Sequence, residues 1–254
     1  MIDTSLEELG IRAIHVGEDS TEMGQMAARN IASELRQRLN TQAGIRIIFA
    51  AAPSQSEMLA ALVQESNIDW TRITAFHMDE YLGLDRNAPQ RFSLWLRCAI
   101  FDRLPFAAVH LIEPDDDLEG AIADYTRALS EKPIDLVCLG IGANGHLAFN
   151  DPPADFKDPK AVKVVSLDDA CRQQQVDDGC FAHFDDVPTR ALTLTIPRLL
   201  TADRLFCCAP GRLKREAVRR TIQDPIGPDC PATALRLHPN CILYLNRESA
   251  ADLR

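Results

Sequence analysis

The run over residues 136–153, Leu-Val-Cys-Leu-Gly-Ile-Gly-Ala-Asn-Gly-His-Leu-Ala-Phe-Asn-Asp-Pro-Pro, constrains this chain more than any other feature. From Ile134 to Leu139 only Asp135 interrupts an apolar stretch, the mark of a buried strand. Gly140, Gly142 and Gly145 follow in close succession and let the backbone turn sharply and approach a ligand without Cβ clashes. Asn144, His146 and Asp151 sit on or just beyond that turn. Open α/β sheets bind ligands beyond the carboxyl ends of their strands, so the motif predicts a ligand site. An ordinary glycine turn with a surface histidine has the same spacing, and the motif alone does not separate the two.

The rest of the chain alternates strand and helix patterns. Residues 13–16 read as a short first strand. Asp19-Ser-Thr-Glu22 has capping-box spacing, and Met23, Ala27, Ile31, Leu35 and Leu39 recur every four residues, predicting an amphipathic helix stopped by Gly44. Strands are expected over 45–52, 72–78, 109–112, 134–139, 162–167, 191–196, 204–209 and 241–245. Helices are expected after Pro53, through Met58, Leu59 and Leu62, and over 89–103, 118–129 and 213–222. Residues 168–188 are polar and read as a loop or flap. This alternation implies an α/β fold, a mainly parallel central sheet flanked by helices, Rossmann-like, with the strand order left open.

At 254 residues the chain has enough core for one domain, expected to span 1–254. No apolar run approaches a membrane span, and the first eight residues lack the basic and apolar regions of a secretory signal. None of the eight cysteines forms a C-x-x-C pair, and Cys138, Cys207 and Cys208 lie in apolar runs. They read as reduced core residues of a cytoplasmic protein rather than a zinc site or disulfide frame. The net charge of −10 argues against nucleic acid or an anionic membrane as partner, but not against a small anion held by local cations. Arg212, Lys214, Arg215, Arg219 and Arg220 crowd one segment, expected for the most part to be a solvated helix face.

A second motif, Phe76-His-Met-Asp-Glu-Tyr-Leu-Gly-Leu84, ends a strand and brings Asp79 and Glu80 toward the glycine turn. A carboxylate at a largely buried sheet end needs a reason, and a general base in a partly desolvated pocket is one. Glu80 fits a ligand contact or an ion pair equally, and His77 reads as a hydrogen-bonded structural residue.

Together, Phe76-His-Met-Asp-Glu-Tyr-Leu-Gly-Leu and Gly140-Ile-Gly-Ala-Asn-Gly-His-Leu-Ala-Phe-Asn-Asp-Pro resemble the two signatures of the glucosamine-6-phosphate deaminase (isomerase) family. The likeness extends weakly over nearly the whole chain, including Ala209-Pro-Gly-Arg-Leu-Lys214. The related 6-phosphogluconolactonases usually carry Arg in place of Tyr81 and a Ser-Leu-Phe run after the histidine, so Tyr81 and Ala148-Phe-Asn150 resemble the deaminase side. The resemblance implies that His146 moves a proton from the sugar C1 hydroxyl to the ring oxygen. It implies that Asp79 carries the C2 proton to C1 through an enolamine, with Asn144 and Asp151 supporting His146. Lys214 matches a phosphate contact, and Arg172 is a looser candidate for a second. Glu80, Ser54, Ser56, Gly142 and Gly145 complete the expected substrate-binding set. The implied ligand is a phosphorylated amino sugar, with no metal or organic cofactor. A homo-oligomer is compatible with the sequence.

The chain also departs from the family pattern. A Thr-Gly-Gly-Thr-Pro-like phosphate loop is replaced by Ala51-Ala-Pro-Ser-Gln-Ser56, which lacks the glycines. Asn144 stands where the family usually has Asp, and Asp151 where it usually has Glu. An Asp at 144 would add charge beside His146, whereas Asn offers the ring only a neutral hydrogen bond. Beside deamination of glucosamine 6-phosphate, three alternatives stay open: a galactosamine 6-phosphate isomerase, a lactonase, and a catalytically weak sugar-phosphate sensor.

Overall fold

The computed structural model describes residues 10–114 and 117–253; the N-terminal segment over residues 1–8, read above for a signal sequence, lies outside them. Seven parallel strands form the main sheet: β1 (Ala13–Gly17), β2 (Ile45–Phe49), β3 (Ile73–His77), β5 (Ala108–His110), β6 (Leu136–Leu139), β9 (Arg204–Cys208) and β10 (Cys241–Asn246). Their spatial order is β1-β10-β9-β6-β2-β3-β5, and every pairing is parallel. The main sheet is the mainly parallel, helix-covered one expected. A second sheet of three antiparallel strands, β4 (Asp79–Tyr81), β8 (Arg190–Leu194) and β7 (Val162–Ser166), was not foreseen. Strands over 162–167 and 191–196 are expected from the sequence without a partner, because alternation along one strand carries no information about its neighbour, and the short β4 is not expected as a strand at all.

The buried strands alternate between two cores, as a period of two requires. Ile47, Phe49, Leu136, Cys138 and Phe206 face one core; Ile48, Val137, Leu139 and Leu205 face the other. Helices α1 (Ser20–Leu39) and α2 (Ser56–Val63) cover the first with Met23, Ile31, Leu35, Met58 and Leu62. The second is covered by α4 (Leu118–Ser130), α6 (Ile196–Leu200) and α7 (Arg215–Gln223). Burying each such large side chain contributes about 1.5–3 kcal/mol. Asp19 caps α1 by accepting from the Glu22 backbone N–H, 2.8 Å. That helix ends at Asn40, before Gly44, where the first turn without an inward apolar residue begins.

Two stretches depart from expectation. Residues 89–103 form a shorter helix, α3 (Phe92–Leu96), running into a π-helical turn over Arg97–Phe101. Within the 168–188 flap lies α5 (Asp169–Asp177), capped by the Asp168 carboxylate, which accepts from the Cys171 backbone N–H at 2.6 Å. The sequence Asp-Ala-Cys-Arg-Gln-Gln-Gln-Val-Asp has too few apolar residues to show a stripe, so the cap decides this helix.

The crevice between β2 and β6 is where the strand order reverses. β2 leads to β3 and β5 on one side, and β6 to β9, β10 and β1 on the other. A topological switch point of this kind leaves a gap between diverging loops.

Candidate active site

That gap holds a cavity whose walls come from four strand ends. Ala50, Ala51, Ala52 and Ser54 follow β2, Asp79 follows β3, Gly140 to Gly142 and His146 follow β6, and Lys214 follows β9. Gln174, Gln175 and Asp178 of the α5 segment close it from above, with Phe92, Ala148 and Phe149 as apolar wall. Residues 67 and 135 positions apart in the chain thus meet, Asp79 with His146 and Lys214.

Asp79 and Glu80 are adjacent on β4, so their side chains leave opposite faces. Asp79 turns into the cavity. It is 6 % exposed, and burial first, then the charge of Glu80, pushes its carboxyl well above the ordinary carboxylate range. Glu80 turns the other way and does not line the cavity, contrary to the expected substrate contact. Its Oε1 accepts from the backbone N–H of Tyr81 and Phe92, and its Oε2 from that of Ser93, all within 3.0 Å. Arg91 Nε lies 3.7 Å away. Glu80 therefore binds the N-terminus of α3, where free N–H groups favour an anion.

His77 is structural, as expected: the Ile112 backbone N–H donates to its Nε2 at 2.6 Å. Burial, helped by Arg91, pushes its pKa down to about 3. Tyr81 also lies behind the cavity, its ring 4.8 Å from that of Phe92 and 5.2 Å from that of Phe149.

The glycine turn explains itself around His146. Gly142 N–H donates to the His146 carbonyl and Gly145 N–H to the Gly142 carbonyl, both at 2.9 Å. Gly145 has φ +89°, a conformation that side chains with a Cβ rarely adopt. At Gly142 the requirement is space, since a Cβ would overlap the His146 imidazole. His146 Nδ1 lies 3.2 Å from Asp151 Oδ1.

Asn144 does not touch the imidazole, which corrects the expected ring contact. Its Oδ1 accepts from the His146 backbone N–H, while its Nδ2 donates to Asp151 and Asp168 at 3.0 and 3.3 Å. Burial pushes the Asp151 carboxyl up. The contact and charge of His146, with donations from Asn144 and the Asp168 backbone, outweigh this and hold it below the ordinary range. Asn144 is thus a neutral clamp between two carboxylates, and Asp151 is the acidic partner of the ring.

Asn144→Asp would remove both donated bonds and set a third carboxylate between the other two. It is expected to cost about 2–3 kcal/mol of folding stability near neutral pH. Chemical denaturation at pH 7 and pH 5 measures this, with the deficit smaller at pH 5; unchanged stability at pH 7 would show that Asn144 is no clamp.

Lys214 stands apart from its basic neighbours. Arg215 pairs with Asp252, Arg219 with Glu216 and Asp224, and Arg220 with Asp224, making the expected solvated helix face. Lys214 precedes them on a short 3-10 turn (Arg212–Lys214), is 5 % exposed and lines the cavity. Burial pulls its pKa down, opposed by Asp178. Among the described residues no carboxylate meets its ammonium at salt-bridge distance.

The remaining expected contacts divide. Ser54 and Gly142 line the cavity, whereas Gly145 shapes the turn behind it and Ser56 is an exposed first residue of α2. Arg172 points away: its guanidinium donates to the carbonyls of Phe184 and Val187 and stacks over the Phe184 ring. An arginine so engaged holds the α5 segment to the chain that follows.

Sequence reasoning missed Gln174, Gln175 and Asp178, because residues 168–188 showed no helical stripe to place them. Gln174 Oε1 accepts from the Ala143 backbone N–H at 2.7 Å, tying α5 to the glycine turn. Among the described residues, His146, Asp151 and Cys171 form the group with metal-ligand atoms close together, within 4.8 Å. Burial pushes the Cys171 thiol far above its usual range, and Asp151 is already bound by Asn144, so the set reads as a histidine support.

Known proteins resemble this chain in sequence and fold. The family described as glucosamine-6-phosphate isomerases/6-phosphogluconolactonase matches residues 18–243. A glucosamine-6-phosphate deaminase of Listeria monocytogenes is 32 % identical over 234 residues, covering 92 % of this chain and 98 % of the relative. One from Streptococcus sanguinis is 30 % identical over 238 residues, covering 93 % and 97 %. The structure of a monomeric glucosamine-6-phosphate deaminase superposes with a TM-score of 0.86 at 29 % identity, covering 95 % of this chain and all of the other. The 6-phosphogluconolactonase of Thermotoga maritima gives 0.75 at 20 % identity over 92 % of this chain and 99 % of the other, a likeness of fold. With its family signature matched over most of its length, this chain belongs to the glucosamine-6-phosphate isomerase/6-phosphogluconolactonase family of enzymes.

Proposed function

We propose that this protein catalyses the isomerising deamination of a hexosamine 6-phosphate, converting glucosamine 6-phosphate and water to fructose 6-phosphate and ammonia. The observation that carries the reading is the meeting of Asp79, His146 and Lys214 in one cavity at the sheet's switch point. His146 takes the proton of the C1 hydroxyl and delivers it to the ring oxygen, opening the pyranose. Asp151, 3.2 Å away, stabilises the imidazolium formed between those two transfers. Asp79 as carboxylate removes the C2 proton, giving an enolamine, and returns the proton to C1. Water then adds to the C2 imine and ammonia leaves. Dry surroundings, and then the charge of Glu80, favour the neutral form of Asp79 and push its carboxyl well above the ordinary range. The substrate's C2 ammonium supplies a positive neighbour that favours the ionised base. Phe92 and Phe149 keep water from the carbon centre.

The test is ammonia release over a panel of hexosamine 6-phosphates, with lactone hydrolysis assayed alongside. Glucosamine 6-phosphate should be consumed with stoichiometric ammonia. Lactone hydrolysis without ammonia would place the chain with the lactonases, and binding without turnover would make it a sensor.

Lys214→Ala extends the test. A buried ammonium free of a contacting carboxylate is placed for an anion, so its loss should raise KM for the 6-phosphate by about a hundredfold, roughly 3 kcal/mol. Turnover of the unphosphorylated sugar should hardly change. Equal losses on both substrates would assign Lys214 a structural role.

A further inference from the structure

The cavity wall contains two carboxylates, Asp79 and Asp178, against a single fixed cation, Lys214. Asp79 serves the carbon chemistry, but Asp178 has no part in it. Asp178 follows the last residue of α5, a helix C-terminus, where the dipole disfavours a negative charge. Its one side-chain bond comes from Gln174 Nε2 at 3.1 Å, an interaction that a neutral amide would also accept. The helix itself gains nothing from a carboxylate at this point. Its charge is felt instead across the cavity at Lys214, where it is the first of the groups that favour the ammonium. The two side chains are not joined by a salt bridge, yet both line the same cavity.

We propose that Asp178 is a specificity-determining residue that competes with the substrate's phosphate for Lys214 and so holds down the cavity's affinity for a phosphate dianion. The proposal rests on the reading of this cavity as a sugar-phosphate site and adds the residue that sets its selectivity. A dianion entering beside Lys214 gains the attraction of one ammonium and meets the repulsion of one carboxylate. In a partly desolvated cavity the two are of similar size. The loop over Ala51–Ser56 lacks the glycines that let a backbone approach an anion closely, and its 3-10 turn (Pro53–Gln55) opens on a proline, which has no N–H to donate. Arg172, a second cation on the same helix as Gln174, is turned to the Phe184 and Val187 carbonyls. Selectivity between phosphorylated and unphosphorylated sugars is therefore narrower here than Lys214 alone would make it.

The experiment compares wild type, Asp178→Asn and Asp178→Glu. Inorganic phosphate binding is measured by calorimetry, and kinetics are run on glucosamine 6-phosphate and on glucosamine. Asp178→Asn should lower both the phosphate Kd and the KM for the 6-phosphate at least tenfold, with the gain shrinking as ionic strength rises. KM for glucosamine should stay in place, and Asp178→Glu should behave as wild type. Relief of the helix C-terminus and loss of a counter-charge for Lys214 act on Tm in opposite directions, so circular dichroism and Tm are recorded for each variant and binding is compared between folded proteins. An unchanged phosphate Kd in Asp178→Asn, or equal shifts in KM on both sugars, would overturn the proposal. Failure of the wild type to release ammonia would sink the proposed reaction alone, because the phosphate titration still decides the role of Asp178.

Discussion

Asp79→Asn should lower kcat by about 10³–10⁴-fold, the range of a lost general base, and abolish exchange of the C2 hydrogen with solvent. Phosphate binding through Lys214 should survive, so the loss falls on kcat and not on KM. The same change should not destabilise the protein. Burial and Glu80 hold the Asp79 carboxyl well above the ordinary carboxylate value in the folded state. Such a group contributes its full stability below the unfolded value of about 4, and that contribution is lost as pH rises through the folded value. At neutral pH the wild type carries the cost of a raised carboxyl and Asp79→Asn does not. Tm of the variant should therefore equal or exceed that of wild type at pH 7, the gap closing near pH 4. In the wild type, kcat/KM should rise with pH through this same raised pKa, since the base must be ionised. Persistent C2 exchange in Asp79→Asn would assign the proton to another group.

Gly142→Ala is expected to leave the fold standing and disable the chemistry. A Cβ at this position would occupy the space of the His146 ring, so the imidazole must swing away from Asp151 and from the substrate. Displacement of a proton-transfer group by about 1 Å is enough for a loss of about 10²-fold, and the required shift is larger. Ring opening should become rate-limiting, with kcat/KM down at least 10²-fold and circular dichroism unchanged. A substrate supplied already in the open-chain form should recover much of the rate, because His146 serves the ring-opening step. Full activity in Gly142→Ala would mean that the imidazole position does not matter.

The site was legible where a residue's role is local. The glycines around His146 announce a turn, and Asp79 lies at the end of a strand that the apolar pattern marks. Glu80 was misplaced because adjacent strand residues leave opposite faces, and only the neighbour across each face tells which one meets the cavity. Asn144 was read against the ring two residues on, whereas its contacts with Asp151 and Asp168 depend on how the following segments return. Arg172 leaves the expected phosphate contact, and Asp178, to which no role was assigned, lines the cavity, for the same reason. Six residues apart on one helix and its end, they face different surroundings, and composition does not say which.

The sequence by itself determined the alternating α/β class, the strand–turn motif bearing His146, and the pairing of two signatures that defines the family. Each follows from short-range rules: a period of two or of nearly four, a capping side chain, a glycine that permits a turn. Tertiary structure alone decided the order β1-β10-β9-β6-β2-β3-β5, and with it the switch point that gathers Asp79, His146 and Lys214. It also decided that three strands leave the main sheet for an antiparallel one, which turns Asp79 inward. Charge at the anion end belongs to the same level. Lys214 is a cation in a basic run until the fold buries it, and Asp178 is a surface acid until α5 brings it opposite. Such meetings depend on contacts between distant segments, whose energies outweigh local preference and leave no periodic trace in the chain.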